Sequence, residues 1–139
     1  MLSHLIYISS RTPQCTEAEI EKILVACQKN NPALGVTGVL LYSPTTFVQY
    51  IEGDYKNLSA LYDKIKLDNR HKSTMMISSA PIKERSFPSW HMGTKKLDLQ
   101  SVDFKTQITE KERTILNEVL EGKKQDSQRA IELIKKFFK

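Results

Sequence analysis

Residues 36–52, VTGVLLYSPTTFVQYIE, decide the fold of this chain. The runs VTGVLLY and TFVQYIE are rich in the β-branched and aromatic residues that favour strands. The short stretch SPT between them supplies turn-forming residues. The pattern therefore predicts a β-hairpin with strands at residues 36–42 and 46–52.

Gln49 occupies an unusual position in the second of these strands. Side chains alternate between the two faces of a strand, so Gln49 shares a face with Phe47 and Ile51. A primary amide left without partners on such a buried face costs about 1–3 kcal/mol. Two kinds of partner are open to it: a backbone group or trapped water, as for most buried polar groups, or a polar ligand.

The chain before the hairpin predicts a strand and a helix. HLIYISS, residues 4–10, is dense in β-branched and aromatic residues and is typical of a strand. Thr16 and Glu19 form a capping box at the start of the helix, and Pro32 and Gly35 end it. Apolar residues recur at helical spacing between those bounds: Ile20, Ile23, Leu24 and Cys27.

The chain after the hairpin repeats this alternation. A Gly-Asp dipeptide leads into a second helix, which ends at the polar run DNRHKS. Strands are predicted at residues 74–82, TMMISSAPI, and at residues 89–95, SWHMGTK, where Trp90 and Met92 share a face. The apolar side of the second helix has helical spacing: Leu58, Leu61, Tyr62 and Ile65.

The predicted order is β-α-β-β-α-β-β. This is the ferredoxin-like arrangement of the α+β class, with two helices on one face of an antiparallel-rich sheet. The first strand places Leu5 and Tyr7 on one face and Ile6 and Ile8 on the other, so both faces of the sheet are mainly apolar. Because two helices cannot cover both faces, we expect the tail of the chain or another subunit to cover the second one.

The tail contains two amphipathic helices that need such a surface. Residues 96–108 are typical of a linker, and TEKE, residues 109–112, is another capping box. We therefore divide the chain into a domain at residues 1–95 and a linker with a helical extension at residues 96–139. The apolar stripes of the two tail helices are Ile115, Leu116, Val119 and Leu120, and then Ala130, Ile131, Ile134, Phe137 and Phe138.

The composition is that of an ordinary globular protein. The 139 residues fit one domain with a short appendage, and 40% of them are hydrophobic and 27% charged. No long apolar run or signal-peptide layout is present, so we expect a cytoplasmic protein that does not enter the membrane. The two cysteines and three histidines are too scattered for a metal site, and the net charge of +5 is too evenly spread to favour nucleic acid.

Two other functions share the predicted fold. IYISS and TFVQY partly imitate the aromatic strands of an RNA-recognition motif, but the stretch SPTT replaces its basic and glycine-containing lead. An acylphosphatase-like hydrolase needs an Arg and an Asn facing an anion, and no loop here offers them. No nucleophile elbow, P-loop, zinc-protease motif or carboxylate pair is present. We therefore expect no enzyme, and single-stranded RNA binding stays as the alternative function.

Five segments, taken in order, resemble the BLUF family of blue-light sensors that bind a flavin. They are LIYISS, ACQKNNPALGVTGVLLYS, FVQYIEGD, IKLDNRHKS and API..R.F..WHM, and the resemblance covers residues 2–95. The resemblance implies that the flavin ring is inserted between the two helices, with its edge toward the sheet. Ile23 and Ile65 would then hold the two sides of the ring, and Leu40 and Phe47 would line it.

The resemblance also implies polar contacts to the ring edge. Asn30 and Asn31 match the asparagines that hydrogen-bond the flavin in this family. A carboxamide suits this role because it offers both donors and an acceptor to alternating C=O and N–H groups.

The end of the second helix matches the family with two departures. By the resemblance, Arg70 and His71 reach the flavin or its phosphate side, with Asp68 and Lys64 nearby; on residue type alone they read as a solvated helix end. Lys64 stands where a His or Arg is usual, and Cys27 stands where a Ser is common. A Lys can still donate to a carbonyl, but it lacks the planar fork of Arg.

The resemblance gives Gln49 a partner, because it implies that Gln49 bridges Tyr7 and the flavin. An excited flavin is a strong oxidant, and a phenol that loses an electron becomes very acidic. Tyr7 would supply the electron and the proton, and an amide can relay the proton because its two ends accept and donate. Rotation or tautomerism of Gln49 would then switch the hydrogen bonds, and Trp90 and Met92 would report the change to the last strand.

The implied cofactor is FAD, with FMN or riboflavin as alternatives because recognition concentrates on the ring. A sensor domain of this kind must signal through other proteins or through its own assembly. We therefore expect a homo-oligomer and a downstream protein partner.

Overall fold

The computed structural model describes residues 1–88, 92–96, 114, 115, 118 and 127–136. It confirms the predicted ferredoxin-like α+β fold. None of the helices in these ranges is long and apolar enough to cross a membrane. The elements, in chain order, are β1 Leu2–Arg11, α1 Glu17–Leu34, β2 Thr37–Tyr42, β3 Thr46–Asp54, α2 Tyr55–Leu67, β4 His71–Pro81, β5 Gly93–Lys96 and α3 Ser127–Lys136.

Capping side chains begin α1 and α2, and a glycine ends α1, and these residues account for hydrogen-bonding groups of the backbone at the helix ends. Thr16 Oγ1 accepts a hydrogen bond from Glu19 N at 3.4 Å and begins α1. Gly35 ends α1 with a φ of 65°, a left-handed conformation that glycine adopts without strain. Asp54 begins α2, and its side chain accepts from Lys56 N at 3.0 Å.

The five strands form one sheet in the order β4-β1-β3-β2-β5. β1 pairs antiparallel with β3 and β4, and β3 pairs antiparallel with β2. β5 runs parallel to β2 and places Gly93 beside Val39. In the pairing of β1 with β3, Tyr7 lies directly opposite Gln49. The sheet therefore brings a phenol and an amide together at its centre.

The starts of β4 and β5 differ most from the prediction. β4 begins at His71 rather than at residue 74, because its pairing with β1 extends to Arg11. β5 begins at Gly93 rather than at residue 89, because its pairing with β2 starts there. Met92 immediately precedes β5, and Trp90 lies outside the described residues.

The sheet is buried on both faces. The face toward α1 and α2 carries one apolar core, which includes Leu5, Tyr7, Leu40, Phe47 and Ile51. The opposite face carries a second core, which includes Ile6, Ile8, Val39, Leu41, Val48 and Tyr50. α3 packs on this second core through Ala130, Ile131, Leu133 and Ile134, and Ile115 packs against it as well. The tail thus covers the second face, as predicted, although Leu116, Val119, Leu120, Phe137 and Phe138 lie outside the described residues.

Truncating one α3 side chain tests how firmly the tail is held. Leu133 is 3% exposed, so we expect Leu133→Ala to lower the free energy of unfolding by about 2–5 kcal/mol. Urea denaturation followed by circular dichroism measures this. Lys135→Ala, on the exposed side of the same helix, should change stability by no more than about 0.5 kcal/mol. Equal midpoints for both variants would show that α3 does not stabilise the sheet.

Candidate functional site

Three buried side chains form a hydrogen-bonded chain on the sheet face toward α1 and α2. Tyr7 Oη donates to Gln49 Oε1, and Gln49 Nε2 donates to Met92 Sδ at 3.3 Å. Tyr7, Gln49 and Met92 are 1%, 4% and 4% exposed. A thioether sulfur is a weak acceptor, so the phenol makes the stronger of the two bonds to the amide. Both ends of the amide therefore have protein partners of unequal strength.

The surroundings of Tyr7 keep its proton in place. Its ring centroid lies 5.7 Å from that of Tyr62 and 6.3 Å from that of His71. Burial raises the pKa of Tyr7 well above its ordinary value, and the nearby Cys27 and Tyr62 add to the rise. The phenol is therefore neutral over the physiological pH range, and its proton lies on the hydrogen bond to the amide oxygen.

α1 and α2 present apolar side chains to the same core. Ile23 and Cys27 on α1 and Ile65 on α2 are half-buried against the core that contains Leu40 and Phe47. Burial raises the pKa of the Cys27 thiol to about 11, so this thiol is neutral. The inner sides of both helices are thus apolar, and the Tyr7 phenol belongs to the core that they cover.

The two adjacent asparagines differ in burial. Asn31 is 2% exposed, whereas Asn30 is exposed to solvent. Consecutive residues of an α-helix point about 100° apart, so both side chains cannot face the sheet. The main-chain carbonyl of Asn31 accepts from Val36 N at 3.0 Å, which helps to fix the end of α1. Asn31 is therefore the amide of the pair that lies inside the fold.

Arg70 connects the end of α2 to the start of α1. Its Nη2 donates to Asp68 Oδ2 at 2.5 Å and its Nε to Asp68 Oδ1 at 3.0 Å, while its Nη1 donates to Glu19 Oε2 at 3.4 Å. The hydrogen bonds from Arg70 lower the pKa of Asp68, and Asp68 raises the pKa of Arg70. Lys64, one turn before the end of α2, is exposed. Lys64, Asp68 and Arg70, the charged residues that the resemblance places near the flavin, thus lie at the surface of the fold rather than in its core.

His71 lies beside an aromatic residue of the apolar core. Its Nδ1 is 2.7 Å from Ser9 Oγ, and its ring centroid is 4.7 Å from that of Phe47. Burial lowers the pKa of His71, so the imidazole is neutral at pH 7 and has one donor and one acceptor nitrogen. Within the ranges that the structure describes, no group of three or more His, Cys, Asp or Glu side chains is placed to hold a metal ion.

Glu52 is a buried carboxylate on the opposite sheet face that was not predicted from the sequence. Glu52 is 0% exposed and accepts hydrogen bonds from Tyr50 Oη, Thr37 Oγ1 and the main-chain N–H groups of Ser86 and Phe87. One signal was available: Glu52 follows Tyr50 by two positions, on a face predicted to be buried, and a buried carboxylate requires several donors. Two of those donors belong to a loop that no sequence periodicity marks.

Comparisons with known proteins show which family and which solved structures this chain is similar to. The family model described as sensors of blue light using FAD matches residues 2–93. The photoactivated adenylate cyclase subunit beta of Euglena longa is 36% identical over 88 residues, which are 63% of this chain and 10% of that protein. The chain spans about a tenth of the length of the curated relatives it matches.

Solved structures of similar proteins share the fold. The dark-state structure of BlrB, a BLUF protein, is 36% identical with a TM-score of 0.66, and the match covers 68% of this chain and 72% of that one. A bacterial light-regulated adenylyl cyclase is 30% identical with a TM-score of 0.72, covering 95% of this chain and 36% of that one. The second match therefore extends beyond residues 1–95.

Proposed function

The chain belongs to the BLUF family of blue-light sensors using FAD, and on that premise we propose that residues 1–95 form its flavin-binding photosensor and that Tyr7, Gln49 and Met92 form its switch. The buried hydrogen-bonded chain through Gln49 is the observation that carries this proposal. The family domain is a sensor and not a catalyst. The switch therefore has to change the arrangement of hydrogen bonds without any net chemistry.

We propose that the flavin ring inserts into a cleft between α1 and α2. Half-buried apolar side chains lie on both helices, and we propose that Ile23 and Ile65 contact the two sides of the ring. Leu40 and Phe47 line the buried end, and the buried amide of Asn31 hydrogen-bonds the polar edge. When bound, the flavin supplies a ring that absorbs blue light and is then a strong one-electron oxidant.

The identity of the flavin is a further proposal. We propose FAD, and the same cleft suits FMN or riboflavin because the buried amides of Asn31 and Gln49 are complementary to the ring alone. The remaining polar candidates lie nearer the surface. We propose them as contacts to the outer part of the flavin: Asn30, Lys64, Asp68, Arg70 and His71.

The hydrogen bond from Tyr7 to Gln49 supplies a path for a proton. Loss of an electron makes the Tyr7 phenol strongly acidic, so its proton passes to Gln49 Oε1. The amide can then release a proton from Nε2, because its two ends accept and donate. The electron from Tyr7 and the proton from Nε2 go to the bound flavin, and the return of both to Tyr7 restores the starting state, so the cycle balances.

Rotation of the Gln49 amide stores the light signal. The rotated amide turns Nε2 toward Tyr7 Oη, which can accept, and turns Oε1 toward Met92 Sδ, which has no hydrogen to donate. The rotated form therefore loses one hydrogen bond within the protein, at a cost of about 0.5–1.5 kcal/mol. This difference explains why the dark arrangement returns and why Met92, next to β5, senses the change.

An absorption spectrum tests the proposal directly. We expect the purified protein to be yellow and blue light to shift its absorption bands slightly to the red, reversibly in darkness. Chromatography of the flavin released on denaturation identifies FAD, FMN or riboflavin. A colourless protein that takes up no flavin on reconstitution would contradict the proposal. RNA binding predicts a colourless protein that retains single-stranded RNA in a salt-dependent manner, but α3 covers the sheet face that such binding would use.

The output of the sensor is also proposed. Some relatives are cyclases, and this chain matches only 36% of the light-regulated adenylyl cyclase structure. We propose that residues 96–139 transmit the change at Met92 to a downstream protein or to a second copy of this chain. A cytoplasmic location stays a prediction from the sequence.

A further inference from the structure

We infer that Glu52 is a positioning residue for the switch. Its carboxylate fastens the loop that follows β4, residues 82–88, to the strand that carries Gln49. The loop in turn sets Met92 Sδ against the Gln49 amide. This inference rests on the proposed function, because it concerns the lifetime of the rotated amide. Glu52 does not touch the proposed switch residues through its side chain. It acts through the loop.

The carboxylate of Glu52 has four donors. Tyr50 Oη donates at 2.8 Å and Thr37 Oγ1 at 3.3 Å, both from strands of the sheet. The main-chain N–H groups of Ser86 and Phe87 donate at 2.9 Å and 2.6 Å. Hydrogen bonds to a fully buried carboxylate are strong because water does not compete for the charge. The loop is therefore attached firmly to β3.

Arg85 provides a second attachment for the same loop. Its Nη1 donates to Thr37 Oγ1 at 2.8 Å and to the main-chain oxygen of Glu52 at 3.1 Å. Its Nη2 donates to the main-chain oxygen of Gly35 at 2.6 Å. The loop is thus joined to the end of α1, to β3, which carries Gln49, and to β2, which pairs with β3 at Gln49.

Phe87 and Met92 lie on opposite faces of the sheet. Phe87 is buried in the core under α3, and its ring packs edge-on against Tyr50 with centroids 5.6 Å apart. Met92, five residues later, is buried in the core under α1 and α2. Five residues span at most roughly 18 Å, so a fixed Phe87 keeps Met92 within that distance. The anchor at Glu52 therefore limits how far the sulfur that accepts from Gln49 can move.

The distance between the sulfur and the amide determines how unfavourable the rotated state is. In the dark arrangement Gln49 Nε2 donates to Met92 Sδ at 3.3 Å, and in the rotated arrangement two acceptors face each other there. A closer sulfur favours the first arrangement and disfavours the second. Loosening the loop should therefore slow the return in darkness without removing the light reaction.

Glu52→Gln in the full chain with bound flavin tests this inference. Glutamine replaces one of the two acceptor oxygens with an NH2 group, and each oxygen accepts from one loop N–H, so one loop N–H loses its partner. We expect the dark-return rate to fall by roughly tenfold, the factor that one hydrogen bond can contribute to a barrier, with flavin content changed by less than about twofold. Hydrogen exchange at Ser86 and Phe87 should become faster, and peroxide should oxidise Met92 faster in darkness.

Tyr50→Phe is the matched control. It removes a donor to the same carboxylate but leaves both loop N–H groups attached, so its dark-return rate should stay within about twofold of wild type. Equal effects of the two variants, or faster exchange at Ser86 and Phe87 with an unchanged return rate, would overturn the inference.

A second variant protects the test against misfolding of Glu52→Gln. Arg85→Met removes the other attachment of the loop and leaves the carboxylate intact, so a change in return rate of the same sign is expected. An unchanged rate together with faster loop exchange overturns the inference. A wild-type protein with no light-induced shift contradicts the proposed function instead, so the two failures are distinguishable.

Discussion

The Tyr7→Phe protein is expected to bind flavin as the wild type does and to form no red-shifted state. Phenylalanine keeps the ring that packs in the core under α1 and α2, where Tyr7 is 1% exposed. The substitution removes the hydroxyl group that donates to Gln49 Oε1, and with it the proton of the proposed transfer. Blue illumination followed by difference spectroscopy measures the loss.

Tyr62→Phe is the matched control for this experiment. Its ring lies 5.7 Å from that of Tyr7 in the same core, but its hydroxyl is not part of the hydrogen-bonded chain. The control should keep the red shift. If Tyr62→Phe abolished the shift while Tyr7→Phe retained it, Tyr62 would be the electron and proton source, and the proposed role of Tyr7 would be wrong.

The order of elements could be predicted because local signals agree with the fold. The side chains of Thr16 and Asp54 accept from the first turns of α1 and α2, and Gly35 takes a left-handed conformation at the end of α1. The two apolar faces of the sheet followed from strict alternation in β1 and β3. That alternation also predicted that α3 or another subunit must cover the second face.

The start of β5 could not be predicted because it depends on a distant strand. Gly93 begins the strand by pairing with Val39, more than fifty positions earlier in the sequence. The parallel direction of this pairing has no local signature in SWHMGTK. The same holds for Glu52, whose loop donors Ser86 and Phe87 are more than thirty positions away. Tertiary contacts of this kind are set by the finished fold and not by local propensity.

The candidate site was predictable in part from residue type and in part only from the resemblance. The burial of Gln49 followed from its place in β3, but its partner Tyr7 came from the family pattern, and the structure places the two in hydrogen-bonding contact. The sequence alone could not predict which of Asn30 and Asn31 is buried. The orientation of α1 in the fold decides that Asn31 is buried and Asn30 is exposed. The roles proposed for these residues await the experiments above.

Gln49→Leu is expected to abolish the red-shifted state as completely as Tyr7→Phe does, for a different reason. Leucine fits the apolar face between Phe47 and Ile51, so the protein should fold, but it can neither accept from Tyr7 Oη nor donate to Met92 Sδ. The phenol keeps its proton because no acceptor faces it. Illumination of the purified variant, with flavin content measured first, decides the outcome.

Two comparisons make the Gln49→Leu result specific. Met92→Leu removes only the weaker acceptor, so it should keep the red shift and change the dark-return rate. The buried hydroxyl of Tyr7, unpaired in Gln49→Leu, should destabilise the protein by about 1–3 kcal/mol, and adding Tyr7→Phe should recover that stability without recovering the shift. If Gln49→Leu formed the same shifted state at wild-type yield, the proton of Tyr7 would leave by a path that does not include the amide, and the hydrogen-bonded chain would not be the switch.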